Sequence, residues 1–264
     1  MGDVRRIADL LNLSKHTVCI SGVGMQSENG YSILRDGEES YEIEQEYGYS
    51  MEEMFHSRFF MTHTEEFYEF YRKHFLAQLD IPPGEGYKCL AELERMGKVQ
   101  SVITKRVYGL PERAGCKNVI EIYGSILRHY CTRCGKEYDL DYVRNSKGVA
   151  RCEKCNVPLR PRAQFYGEQI DNQVFTKATD EIVNADVLMV LGTTLGSDVC
   201  RRFVKYYEGN KIILINEDHH YTDKMADYII YGRVDEVLPE IVEELKKRES
   251  GAKSVTDSVI NAAK

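Results

Sequence analysis

No stretch of this 264-residue sequence is apolar over the roughly 20 residues that a bilayer-crossing helix needs. A helical membrane span is therefore not expected. The N-terminus, MGDVRRIADLLNLS, lacks the apolar segment of a secretion signal, and its charges and amphipathic pattern read as part of a soluble, cytoplasmic protein. Positive charge is in short supply as well. Against 42 Asp and Glu there are 35 Lys and Arg, and a net charge of −7 lacks the concentrated basic surface that nucleic-acid phosphates require. General nucleic-acid binding is not expected. No internal repeat is visible, and the length suits one medium domain carrying a smaller module.

The charge that is present is unevenly placed. Between Asp36 and Glu53 lie eight carboxylates and no Lys or Arg, whereas Arg128 to Arg162 carries nine Lys and Arg against four Asp and Glu. Two solvated surfaces of opposite sign explain this pattern, and the acidic one would also suit a cationic peptide. Along the chain, helical periodicity alternates with short apolar runs. Val4, Ile7, Ala8 and Leu11 mark a helix over Asp3 to Leu13, TVCIS a buried strand, and GVGMQSENGYSILRDG a binding loop just past it. From Tyr41 to Leu79 the pattern is helical, with Phe67, Phe70, Tyr71, Phe75 and Leu79 on one core-facing side. GYKCLAELERMG predicts a helix, and VQSVIT and NVIEIYG predict strands. Further on, helices over DNQVFTKATDEIVNA, Arg201 to Tyr207 and VDEVLPEIVEELKKR alternate with strands DVLMVLG, KIILIN and DYIIY. Near-continuous apolar strands alternating with helices imply an α/β fold whose parallel sheet is covered on both faces. The polar tail after Arg248 is expected to fray or to dock only loosely.

Four of the eight cysteines, Cys19, Cys89, Cys116 and Cys200, are isolated, as reduced buried thiols commonly are. The other four form CTRC and CEKC, seventeen residues apart, the spacing of a four-thiolate zinc ribbon. A redox pair would be single and would open a helix. Cys131, Cys134, Cys152 and Cys155 together fill a tetrahedron and leave no position for water or substrate. The zinc is expected to be structural, so the chemistry must lie elsewhere.

After the first strand, Gly22 and Gly24 give only G-x-G, and Ser27 stands where a dinucleotide fingerprint has its third glycine. The wider set of segments is more specific. GVGMQSENGYSILR, SVITKRVYGLPERAGC, VIEIYGSI, the cysteine module, LRPRAQFYGE, VLGTTLGSD and LINED occur in the order seen in the sirtuin family, which the chain resembles along nearly its whole length. The resemblance implies a Rossmann-like doubly wound domain over 1–127 and 161–248, an inserted zinc-ribbon module over 128–160, and a tail over 249–264. It also implies NAD-dependent deacylation, in which the acyl group of an acylated lysine passes to the ADP-ribose of NAD and nicotinamide leaves. On this resemblance Gly22, Val23, Gly24, Met25, Arg35, Thr104, Lys105, Arg106, Gly192, Thr193, Thr194, Asn216, Glu217, Asp218 and Val234 would hold the nucleotide. The backbone N–H groups of the first loop would face its phosphates. Gln164, Phe165, Tyr166, Gly167 and Glu168 would form the rim along which a peptide pairs as an added strand.

At the chemistry the sequence departs from the family. The general-base histidine falls at Tyr123, and the Gln-Asn-Ile-Asp run of the nicotinamide site falls at Lys105-Arg106-Val107-Tyr108. Ser32-Ile33-Leu34 replaces Pro-Asp-Phe before Arg35, Gln26 replaces a serine, and His129, His219 and His220 match no family catalytic position. A histidine with pKa near 6.5 accepts a proton at neutral pH, whereas a tyrosine near 10 keeps its own. Losing a general base lowers a rate by roughly 10²–10⁴-fold, so deacylation is expected to be severely impaired, with Tyr123 and Arg106 at the catalytic position. Lys105 and Arg106 would set positive charge beside a cationic pyridinium and so favour ADP-ribose or a phosphorylated nucleotide over NAD; a solvent-exposed pair at a strand-to-loop exit is a reading of similar weight. Three functions stay open: an impaired deacylase, a non-enzymatic NAD or ADP-ribose sensor or scaffold, and an ADP-ribosyltransferase or NAD hydrolase.

Overall fold

The computed structural model describes residues 2–33 and 38–262, with side chains as far as residue 250. The described residues form two sheets. The larger holds six strands, β1 (Thr17–Ser21), β2 (Ser101–Thr104), β3 (Val119–Glu121), β7 (Val187–Leu191), β8 (Lys211–Asn216) and β9 (Tyr228–Tyr231), in the order β3-β2-β1-β7-β8-β9. All of its pairings are parallel, and Val18 of β1 lies opposite both Ser101 of β2 and Leu188 of β7. Every residue of β1, β2 and β7 is buried, which is why these strands read as unbroken apolar runs rather than as alternation. One face sets Cys19, Met189 and Ile213 against Ile7, Leu90 and Leu238 of the helices Gly2–Leu13, Glu85–Arg95 and Val234–Ala262. The other sets Val18, Leu188 and Leu214 against Ala178, Ile182 and Phe203 of Asn172–Asn184 and Asp198–Phe203. The chain runs outward in one direction from β1 to β3 and in the other from β7 to β9, so the switch point lies between β1 and β7.

The smaller sheet is antiparallel, β5 (Glu137–Asp139), β4 (Arg128–Cys131) and β6 (Leu159–Pro161) in that order, and enters the chain after β3. A helical segment ties it to the main sheet. The Tyr68 hydroxyl donates to the Leu159 carbonyl at 2.6 Å, the Tyr71 hydroxyl bonds His129 Nε2 at 2.9 Å, and Arg72 donates to the Val143 and Gly148 carbonyls at 2.9 and 2.8 Å. Phe67, Phe70, Tyr71, Phe75 and Leu79 are buried, as the periodicity requires.

Four local expectations need correction. The segment after β1 is not wholly loop, since Val23–Glu28 is a helix. The helical region is broken into Glu38–Tyr47, Met51–Met54, Ser57–Thr62 and Thr64–Tyr71, followed by a π-turn over Arg72–Leu76. The strand at NVIEIYG covers only Val119–Glu121, because the chain then turns through Gly124 at φ +67°. The last helix does not fray after Arg248 but continues to Ala262. No helix among the described residues is long and apolar enough to cross a membrane.

Candidate functional site

Each CxxC pair closes a turn of the same form. The Gly135 N–H donates to the Cys131 carbonyl at 2.9 Å and the Asn156 N–H to the Cys152 carbonyl at 2.8 Å. The cysteine N–H groups point forward, Cys131 to the Lys136 carbonyl and Cys152 to the Val157 carbonyl, both at 2.9 Å. Such a turn needs a left-handed residue after the second cysteine, supplied by Gly135 at φ +72° and Asn156 at φ +55°. The four Sγ atoms lie within 4.8 Å of one another, with Cys134 and Cys152 3.7 Å apart. A tetrahedral zinc with bonds of about 2.3 Å asks for sulfurs roughly 3.8 Å apart, so the donor set fits that ion. The Tyr138 hydroxyl donates to Cys152 Sγ at 3.2 Å and draws its thiol down to about 6, favouring the thiolate that a metal requires.

At the switch point three glycines bring two loops into backbone contact. The Gly22 N–H donates to the Leu191 carbonyl at 2.8 Å, Gly24 to Gly192 at 2.7 Å, and Gly192 to Ile215 at 2.9 Å. A methyl group on Gly22 would overlap Thr193, and one on Gly24 would lie 2.8 Å from the Gly192 oxygen. Gly192 itself has φ +59°, and a methyl there would lie 2.5 Å from the Met25 nitrogen. The expectation that the N–H groups of Gly22 and Gly24 face a phosphate is thereby corrected, because β7 and its loop already accept them. Donors free of that contact begin with the first-turn N–H groups of Val23 and Met25, beside the half-buried hydroxyls of Thr193 and Thr194.

The remaining cradle residues surround this contact from the ends of two strands and the start of the last helix. Thr104 ends β2, is buried, and accepts the Arg106 N–H at 3.1 Å. Asn216 ends β8 and donates to the Asp218 carbonyl at 2.7 Å, while Glu217 and Asp218 are exposed. The N–H groups of Val234 and Asp235, at the start of the last helix, donate to Glu28 at 3.0 and 2.8 Å. Burial pushes the Glu28 carboxyl up, and those two hydrogen bonds oppose it. Arg35 lies outside the described residues.

Beside the cradle lies a cleft of about 430 Å³ whose lining includes Lys105, Arg106, Tyr123, the whole of Gln164 to Glu168, and Asp198. Tyr123 and Arg106 are thus brought to one cavity. Arg106 is half-buried rather than a solvated strand-exit residue, and its Nε is buried without a hydrogen-bond partner. Burial pushes its guanidinium below the usual range, with Tyr87, Tyr166, Tyr108 and Tyr123 around it acting in the opposite direction. The rim is itself hydrogen-bonded. The Gln164 N–H donates to the Tyr123 carbonyl at 2.8 Å, Tyr166 to Phe55 at 3.0 Å, and Phe165 to Glu168 Oε2 at 3.0 Å.

Phe55 and His56 escaped the sequence reading. His56 bridges to Tyr166 in parallel, its Nδ1 accepts the Arg58 N–H at 3.1 Å, and its ring closes over Gly167 at φ +82°. The available signal was the interruption of helical periodicity at His56, which marks a helix start. His129 is buried against Tyr71, and burial draws it down to about 4. His219 stacks on Tyr231 with ring centroids 3.6 Å apart.

A parallel sheet with a glycine cradle at its switch point and a thiolate-clamped module beside it defines a nucleotide-binding α/β protein. The chain belongs to the Sir2 family, whose model matches residues 22–198. An NAD-dependent protein deacetylase of Clostridium tetani (strain Massachusetts / E88) is 34% identical over 242 residues, covering 91% of this chain and 98% of the relative. A sirtuin structure solved to explain substrate affinity superposes with a TM-score of 0.82 at 30% identity, covering 90% of this chain and 98% of that one. A Sir2 mutant with tyrosine in place of histidine, in complex with a p53 peptide and NAD, superposes with a TM-score of 0.75 at 29% identity, covering 91% and 98%.

Proposed function

We propose that this chain is a cytoplasmic NAD-dependent protein-lysine deacylase whose rate is lowered by Tyr123 at the position of the base. The observation that carries the reading is the convergence of Tyr123, Arg106 and the rim from Gln164 to Glu168 on one cleft, which Gln26 of the helix Val23–Glu28 after the glycine turn also lines. NAD, when bound, would supply the ADP-ribose that accepts the acyl group and the nicotinamide that leaves. Val23, Met25, Thr193 and Thr194 would hold its phosphates and ribose, with Asn216, Glu217, Asp218 and Val234 toward the adenosine. Cys131, Cys134, Cys152 and Cys155 would hold zinc as a clamp with no open position. With a phenol where the family has its imidazole base, Tyr123 would orient a hydroxyl by hydrogen bonding. The related tyrosine mutant held both NAD and peptide, which supports ligand assembly around such a residue. All eight cysteines are free, in keeping with a reducing compartment.

The unpartnered Nε of Arg106 beside Lys105 favours a ligand with extra negative charge, so ADP-ribose should bind more tightly than NAD. Calorimetric titration of the zinc-loaded protein with both ligands tests this, and equal or tighter binding of NAD would remove it. Nicotinamide release, with and without an acetyl-lysine peptide, tests the reaction. Release that requires the peptide supports deacylation; release without it indicates NAD hydrolysis or ADP-ribosyl transfer; binding with no release indicates a sensor or scaffold. In the first case Tyr123→His should raise the single-turnover rate by roughly 10²–10⁴-fold.

A further inference from the structure

A second cleft of about 480 Å³ opens on the far side of Tyr123, lined by β3, β6 and the helix Asn172–Asn184. Tyr123, Gln164 and Glu168 line both clefts, so one layer of side chains divides them. The carboxylates of this second cleft each have a partner, Glu121 Oε2 on Arg128 at 2.5 Å, Glu168 on Arg160, and Asp171 on the Gln173 N–H at 2.8 Å, while Glu121 Oε1 is buried without one. Its cations are less fully engaged. Among the described residues Lys177 has no ion pair, Arg162 pairs with the exposed Glu137, and Arg160 Nε is buried without a hydrogen-bond partner. The Arg162 guanidinium lies 4.4 Å from the Tyr130 ring, which holds it at the wall.

We propose that this cleft is a second ligand site, taking a small phosphate-bearing molecule between Arg160, Arg162 and Lys177. Forked guanidinium donors suit phosphate oxygens, and the volume is ample for a pyrophosphate group. The site is coupled to the first. Arg160 pairs with Glu168 and lies 4.2 Å over the Phe165 ring, and Glu168 also holds the Phe165 N–H at 3.0 Å. An anion that recruits Arg160 therefore draws on the loop forming the reaction-cleft rim.

The test is calorimetric titration of inorganic pyrophosphate into the zinc-loaded full chain saturated with ADP-ribose, using native protein and an Arg162→Ala/Lys177→Ala variant. Thermal melting of the variant at the native temperature controls for folding, since both side chains lie at the surface. The expected result is one pyrophosphate per chain, weakened roughly tenfold or more by the double substitution while ADP-ribose affinity is unchanged. Absence of binding, binding indifferent to the substitutions, or binding abolished by ADP-ribose would each overturn the proposal. The two readings fail separately: a protein that takes pyrophosphate at this site but no ADP-ribose would sink the nucleotide cradle and leave the second site standing.

Discussion

A single methyl group at Gly192 would meet the Met25 nitrogen at 2.5 Å while the backbone there sits at φ +59°. Gly192→Ala should therefore push the β1 and β7 loops apart and weaken ADP-ribose binding by roughly tenfold or more, with the zinc content unchanged. Metal analysis alongside the titration checks both halves. At the other site, Tyr138→Phe removes the hydroxyl that draws Cys152 toward its thiolate. Loss of such a supporting bond typically costs about 10–100-fold in metal affinity, measurable by competition with a chromophoric chelator. The thiol ligands were legible because spacing alone constrains them, whereas Tyr138 was not, since it stands outside both CxxC pairs. Gly22 and Gly24 were visible as a weak motif; that their N–H groups are already engaged was not, because the acceptors lie on and just after β7, far away in sequence.

Among the elements, the first helix and β7 are joined by one carboxylate. Asp186 accepts the Ser14 hydroxyl at 2.5 Å and the N–H groups of Lys15 and His16 at 2.8 and 3.2 Å. Burial raises its pKa, but these bonds outweigh burial and leave the carboxyl below the usual range. A depressed folded pKa gives stability that is full above the unfolded value near 3.9 and is lost as pH falls through the folded value. Asp186→Asn should thus cost about 1 kcal/mol at pH 7, with the difference narrowing below about pH 4 in urea melts. If the native and mutant curves stay parallel to lower pH, this carboxylate is not the linkage group. Strands were legible at this scale because their burial is two-sided and their apolar runs unbroken. The helical region was legible in its face but not in its breaks, since the stops at Tyr47, Met54 and Thr62 rest on local capping. Ser50, for example, accepts the Glu53 N–H at 3.3 Å and receives the Glu53 carboxylate on its own N–H at 2.9 Å.

For the whole molecule, the small sheet is held both by its four thiolates and by Tyr68, Tyr71 and Arg72 of the main body. Removing the metal should unfold the small sheet and expose that aromatic face, while the parallel sheet and its cradle persist. Near-ultraviolet circular dichroism should fall on chelation with ADP-ribose binding retained. Loss of nucleotide binding together with the signal would mean that the module shapes the cradle as well as clamping its flank. The fold class was legible at this scale from alternating strands and helices. The pairing of Tyr123 with two clefts was not, because it depends on how the small sheet settles against β3.

The central strand β1 has β2 on one side and β7 on the other, and Cys19 meets Met189 across 170 residues of chain. During synthesis, then, half of the central pairing cannot close until β7 has emerged, long after the cysteine turns are complete. Between those moments the growing chain holds a zinc-competent module beside an open, apolar strand edge, and that edge is the part of the nascent chain most exposed to aggregation.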